Sequence, residues 1–213
     1  MKHCLNRGIL VAIEGIDGVG KTTQSIRIVE RLTALSFNAV RFFEPTNETQ
    51  EAQQIRRTLE HGPLTEPTDL VDLFLADRRH DVENHIMPAL REKKIVVMDR
   101  YFLSTAAYQS DRPWQEILEM NREFAPEPDI NFIINWPADI AMTLIEKRDN
   151  GLSTFENETA LINIRGRYLE MAREDSGTYV VVEKIADEED VCDEILDILL
   201  KYLHENKLVQ YDV

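Results

Sequence analysis

The sequence predicts an α/β fold of three layers, a five-stranded parallel sheet with helices on both faces. Three observations lead there. Short apolar runs alternate with helical patterns along the 213-residue chain, the arrangement that builds crossover units and a parallel sheet. The first run, ILVAIE, is continuously apolar up to its closing glutamate, as a strand buried on both faces must be. Polar residues able to do chemistry cluster just beyond the strands' carboxyl ends, where ligands bind such sheets.

The elements follow in order. Ile9 to Glu14 (ILVAIE) reads as the first strand, ending at a Gly-rich turn. A helix runs from Lys21, with Ile26, Val29 and Leu32 at helical spacing. Asn38 to Phe43 is a second strand, stopped by Glu44-Pro45. Residues 48–60 and 66–93 read as helices; Pro67 suits a first turn, whereas Pro88 must kink or split the helix that holds it. Ile95 to Met98 is the third strand and Ile130 to Trp136 the fourth. Helices over 137–148 and 156–174 precede a fifth strand, Thr178 to Val182. An amphipathic helix, Glu188 to Asn206, carries Val191, Ile195, Ile198, Leu199 and Tyr202. One domain over 1–213 is expected.

Apolar residues make up 43% of the chain, enough for a sizeable core, and the net charge is −15. That acidity argues against binding a nucleic acid polymer, which wants a basic face. An anionic substrate must therefore meet a local basic cluster and a metal ion. Cys4 and Cys192 lie far apart in no metal-ligand spacing, so a reducing cytoplasm is the expected setting. The first ten residues lack the apolar stretch of a signal peptide, and no run approaches the ~20 residues that span a bilayer, so no membrane association is expected. His3, His61, His80, His85 and His204 have no ligand spacing and read as structural or surface residues.

The chemistry starts at Gly15-Ile16-Asp17-Gly18-Val19-Gly20-Lys21-Thr22, which fits G-x-x-x-x-G-K-[ST] with a strand before it and a helix after it. Backbone N–H groups of such a loop meet phosphate oxygens. Lys21 is expected to reach the terminal phosphates and the Thr22 hydroxyl to ligate Mg²⁺, with Thr23 beside it. The fold is then a P-loop NTPase fold. No Asn-Lys-x-Asp guanine signature is present, and the length favours a small-molecule kinase over a motor.

Four segments extend the reading: the P-loop with Glu14 and Thr23; Leu73-Phe74-Leu75-Ala76-Asp77-Arg78; Asp99-Arg100-Tyr101-Phe102-Leu103-Ser104-Thr105-Ala106-Ala107-Tyr108-Gln109; and Arg165 to Ala172 (RGRYLEMA). Together they resemble the thymidylate kinases, enzymes that phosphorylate dTMP to dTDP with ATP. The third segment is the most specific. The resemblance implies ATP and Mg²⁺ as cofactors, dTMP as substrate and a homodimer, with helices 66–90 and 101–110 as contact faces.

It also implies roles. Asp99, at a buried strand's end, would orient Mg²⁺ or its waters. Arg100 would bind the monophosphate with its fork of donors. Taken alone, Phe74 reads as core; the resemblance makes it the platform on which thymine stacks. Arg78, four residues on and on the same face, would donate to the base's exocyclic oxygen and so reject cytosine. Ser104 and Thr105 would bond the base or line its pocket, with Gln109 and Glu44 also on the substrate side. Tyr108 would crowd the sugar C2′ and Asp17 would meet the 3′-hydroxyl. Thymine over uracil rests on one methyl, ~0.8 kcal/mol, so some dUMP turnover is expected.

The lid of the resembled family falls at about residues 146–155. With glycine at Gly18, such members take transition-state cations from the lid, here Lys147 and Arg148. Two departures stand out. Ser153-Thr154 replaces an Asp-Arg pair, leaving Arg148 or Arg165 to substitute. Phe43 replaces an arginine before Glu44-Pro45, leaving Arg41 or Arg56 to compensate. A kinase with another acceptor, or a nucleotide-binding regulator without turnover, are the alternative functions.

Overall fold

The computed structural model describes residues 3–62, 69–147, 157–175, 177–183 and 188–211. Its elements run β1 (His3–Leu5), β2 (Ile9–Gly15), α1 (Lys21–Ala34), β3 (Ala39–Phe43), α2 (Gln50–His61), α3 (Leu70–Asp81), α4 (Met87–Arg91), β4 (Ile95–Asp99), α5 (Phe102–Tyr108), α6 (Trp114–Arg122), β5 (Ile130–Asn135), α7 (Ala138–Glu146), α8 (Glu158–Glu174), β6 (Tyr179–Glu183), α9 (Glu188–Glu205) and β7 (Val209–Tyr211).

Five strands form one parallel sheet in the order β3-β4-β2-β5-β6. Every residue of β2, β4 and β5 is buried, and these are the three inner strands, while the partly exposed β3 and β6 take the edges. The register aligns the carboxyl ends: Ile13 and Phe43 both pair with Asp99, and Gly15 pairs with Ile134. Gly15, Glu44, Arg100 and Asn135 therefore emerge along one rim of the sheet. That rim carries the site.

Some expected elements are adjusted. α1 turns Ser25, Ile28 and Leu32 inward and leaves Ile26 42% exposed, so the core stripe is not the one through Ile26. The helix expected over 66–93 divides into α3, a π-turn at Val82–Ile86 and α4; the wide turn ends just before Pro88, whose ring lacks the N–H a continuous helix needs. Pro67 lies outside the described residues. Two features have no counterpart in the periodicity: α6, and the antiparallel β1–β7 ribbon that joins the two ends of the chain. Among the described residues no helix is long and apolar enough to cross a membrane.

Candidate active site

The loop between β2 and α1 is shaped by close approaches. Gly15 has φ +138°, and a Cβ there would lie 2.7 Å from the Ile134 carbonyl oxygen. Gly18 has φ +87°, and a Cβ there would collide with the carbonyl oxygen of Ala141 on α7. Position 18 is thus closed to any side chain, a cationic one included, for a packing reason. Val19 points into the core, so only its backbone can face a ligand. Gly20 caps α1, whose first residue is Lys21; Thr22 is exposed and Thr23 half-buried. The positive end of the α1 dipole and its unbonded N–H groups favour an anion here.

The Lys21 ammonium donates to the Ile16 carbonyl at 2.6 Å and lies 3.7 Å from Asp17. Burial, aided by the neighbouring Arg100, pulls its pKa down to about 7 against the pull of Asp17. Asp17 also accepts from Arg100 and, at 3.0 Å, from the Tyr108 hydroxyl. Burial opposes its ionisation, but Arg100 and Lys21 hold its carboxyl below the usual range. Arg100 itself has φ +68°, a strained backbone for a long side chain, and its plane lies over the Tyr108 ring.

Two adjoining cavities meet at Glu44, Pro45 and Arg100. The first, about 220 Å³, is lined by Asp17, Phe74, Arg78, Ser104, Thr105, Tyr108 and Gln109 among others. The second, about 400 Å³, is lined by Thr22, Arg41, Asn47, Arg56 and Asp99 besides the shared residues. The structure thus brings together all of the expected substrate-side residues, and joins them to the loop through Arg100. It also forms the local basic cluster that the acidic chain requires, from Lys21, Arg41, Arg56 and Arg100.

Several partners are more specific than the sequence suggested. Glu44 is paired with Arg78 in a buried fork, so it bears on a substrate through that arginine. Burial pushes the Glu44 carboxyl up to about 8 even against Arg78. Ser104 donates to Glu14, and Thr105 accepts from Arg78 at 3.1 Å. The Gln109 amide nitrogen is buried with no hydrogen-bond partner among the described residues, and Gln109 lines the first cavity. That unmet donor suits a base carbonyl.

Asp99 accepts from Arg41 at 2.5 Å, and Arg41 also donates to Ser25 at 2.7 Å. Arg41 and Phe43 are two apart on β3 and so share a face; the guanidinium lies 5.2 Å from the Phe43 ring centre. Arg56 donates to the Pro45 carbonyl. Both arginines considered as compensation for Phe43 therefore reach the second cavity. Arg165 donates instead to Asn135 at 2.6 Å, which in turn donates to Glu183. Lys147 stands exposed at the end of α7. Arg148 and Ser153-Thr154 lie outside the described residues.

Oxygen donors for Mg²⁺ are present in kind. Thr22 and the buried Asp99 border one cavity, and Mg²⁺ keeps most of its waters and needs only one or two protein oxygens. Among the described residues no cluster of three or more His, Cys, Asp or Glu forms a fuller cage. His80 and His85 both meet Glu48, and His85 also meets the buried Asp81, a network that ties α3 and the π-turn to the loop before α2.

Some contributors have only faint sequence signals. Glu14 is wholly buried and accepts from the Tyr101 N–H, the Ser104 hydroxyl and the Tyr168 hydroxyl. Glu14 thereby ties β2 to α5 and α8. Asp77 accepts from the Thr46 N–H and from the Thr46 and Thr49 hydroxyls, which pins the loop carrying Glu44. Both carboxylates lie inside quoted motifs, but only the fold shows what they hold.

Comparison with known proteins agrees with this geometry. A family model described as thymidylate kinase matches residues 13–195. A probable thymidylate kinase of Archaeoglobus fulgidus is 36% identical over 201 residues, covering 93% of this chain and 98% of the relative. Thymidylate kinases of Xanthomonas euvesicatoria pv. vesicatoria and Xanthomonas campestris pv. campestris are 38% and 39% identical over 160 residues. These alignments cover 74% of this chain and 70% and 69% of those proteins. With the loop, the paired cavities and a match over most of its length, the chain belongs to the thymidylate kinase family.

Proposed function

We propose that the chain transfers a phosphoryl group from ATP to dTMP, giving dTDP, with Mg²⁺ held through Thr22 and Asp99. The observation that carries this reading is the junction of the two cavities at Arg100, with a phosphate loop on one side and a base-sized pocket on the other. Lys21 and the loop backbone hold the donor phosphates. Arg100, with Arg41 and Arg56 nearby, holds the acceptor phosphate in line. Phe74 stacks on thymine, Arg78 and Gln109 donate to its carbonyls, Tyr108 crowds C2′ and Asp17 receives the 3′-hydroxyl. The acceptor is already an anion, so no general base is needed; catalysis is positioning plus charge neutralisation. Thr22 and Asp99 would hold Mg²⁺, which would supply positive charge against the donor phosphates. Because position 18 admits no side chain, the remaining cations come from the lid at about 146–155, through Lys147 and Arg148. The whole chain acts as one kinase domain, working as a homodimer in the cytoplasm, where its two free thiols stay reduced.

An acceptor panel tests this. With ATP and Mg²⁺, coupled ADP release is expected to be fastest with dTMP, a few-fold slower with dUMP, and at least tenfold slower with dCMP, dGMP and thymidine. Equal rates across the panel, or ADP release independent of acceptor, would overturn it.

Lys21 supplies a second test. Its pKa near 7 leaves it about nine-tenths neutral at pH 8 and about one-tenth neutral at pH 6. A phosphate beside it restores the ammonium, so ADP binding should take up close to one proton at pH 8. At pH 6 Lys21 contributes little uptake. Titration calorimetry in buffers of differing ionisation enthalpy measures this directly. No net uptake at pH 8 would mean that Lys21 does not meet the phosphates.

A further inference from the structure

We propose that Asn121, on α6, is the positioning residue that aims Arg78 at the base and so sets the discrimination between thymine and cytosine. The inference rests on the reading of the first cavity as the base pocket and names a residue outside that pocket's lining.

The argument begins with Arg78, 1% exposed and carrying five N–H donors in one plane. Nε donates to Glu44 at 2.8 Å, and Nη2 donates to Glu44 and, at 3.1 Å, to Thr105. Glu44 thus grips the guanidinium by its Nε–Nη2 edge. Nη1 donates to the Asn121 side-chain oxygen. Four of five donors are then engaged within the described residues, and the fifth, on Nη1, is the one left for a ligand. The Tyr101 ring, 5.1 Å away, fixes the guanidinium plane, since the Tyr101 hydroxyl is itself tied to the Pro126 carbonyl. Asn121 anchors the Nη1 corner, the one corner of that plane that Glu44 does not hold.

Asn121 suits this task in three ways. It is fully buried, so water cannot replace it. Its amide nitrogen donates to the Ile117 carbonyl at 2.7 Å, so its oxygen must face Arg78; the flipped amide would set donor against donor. And α6 is clamped to α3 at both ends. Arg112 bonds Asp69, the N-cap of α3, at 2.6 Å, and Arg79 of α3 stacks at 4.0 Å on Phe124. Helix and arginine cannot drift apart.

The consequence is chemical. A rigid Nη1–H aimed into the cavity rewards a carbonyl on the base and opposes an amino donor. Without the Asn121 oxygen, the rigid guanidinium is held at its Nε–Nη2 edge alone and can tilt as a unit about it, carrying the Nη1 hydrogen off the base, and the contrast between the two bases fades.

Two variants test the role. Asn121→Leu keeps the size and removes the acceptor; Asn121→Asp keeps the acceptor and removes the donor to Ile117. The readout is the ratio of kcat/KM for dTMP to that for dCMP, measured on one preparation. This ratio does not depend on how much of the preparation is folded. Asn121→Leu is expected to lower it at least tenfold, through a higher KM for dTMP with KM for ATP unchanged. Asn121→Asp is expected to stay within about threefold of the parent despite lower thermal stability. A ratio unchanged in Asn121→Leu, or equally lowered in both variants, would overturn the proposal. If the parent enzyme itself shows no preference for dTMP over dCMP, it is the assignment of the base pocket that fails.

Discussion

Replacing Arg100 by methionine should lower kcat/KM for dTMP by on the order of 10²–10⁴, while KM for ATP moves less than about threefold. The magnitude follows from losing a desolvated charge pair to phosphate, about 3–5 kcal/mol, at ~1.36 kcal/mol per tenfold in rate. The asymmetry follows from the geometry. Arg100 lines both cavities, whereas in the proposed function the donor phosphates are held by the loop backbone and Lys21. Arg100→Lys should recover only part of the loss, because a lysine keeps the charge without the planar fork. A linked effect gives an independent check. Arg100 is, after burial, the main influence that depresses the Lys21 pKa. Its removal should raise that pKa and reduce proton uptake on ADP binding at pH 8. Equal loss for ATP and dTMP would place Arg100 on the donor side instead.

The second large effect concerns stability. Glu14→Leu should lower the melting temperature by about 5 °C or more, because it strands two buried donors at ~1–3 kcal/mol each, the Tyr101 N–H and one of the Ser104 and Tyr168 hydroxyls, which lie 2.8 Å apart and can bond each other. Part of that loss is offset, since an ionised carboxylate no longer has to be kept dry. Glu14→Gln should be far milder: the amide oxygen can accept from the Tyr101 N–H, and the Ser104 and Tyr168 hydroxyls can rotate to accept from the amide nitrogen. The two variants also differ from the parent in pH dependence. Burial raises the Glu14 pKa above its unfolded value. The native state therefore holds the proton at pH values where the unfolded chain has released it. Stability then falls as pH rises from the ordinary carboxylate range through the folded pKa. Glu14→Gln removes that slope. Thermal melts from pH 4 to 8 decide it; a parent and Gln variant with parallel curves would mean that Glu14 is not a buried, proton-retaining group.

Much of this molecule is legible in the sequence. The unbroken apolar runs Ile9–Ile13 and Ile95–Met98 read as buried strands, and β2 and β4 are interior. Gly15 to Thr22 is a local motif whose geometry depends on its own residues. Phe74 and Arg78 share a helix face by spacing alone. Interactions within a few residues, or repeated along one element, leave a periodic trace. α6 left almost none: it is short, and its buried Ile117, Leu118 and Asn121 make less than a full stripe. The inward face of α1 departs from its apolar spacing for a related reason, because Gln24 and Ser25 are buried there as polar residues.

Only the tertiary structure decided the pairings between distant elements. Glu44 with Arg78, Arg41 with Asp99, Asn121 with Arg78 and Glu14 with Tyr168 join residues 34 to 154 positions apart. No local pattern encodes such a meeting, since each partner's propensity is satisfied equally well in water. The closed door at Gly18 is of the same kind. The sequence by itself determined a phosphate loop on a parallel sheet, and the resemblance it carries named residues that line one cavity. The register of that sheet, which brings four strand ends to one rim, determined which carboxylate each arginine meets and which donors remain free. Burial then made those choices matter, because a charge in a dry rim must be answered by a specific neighbour.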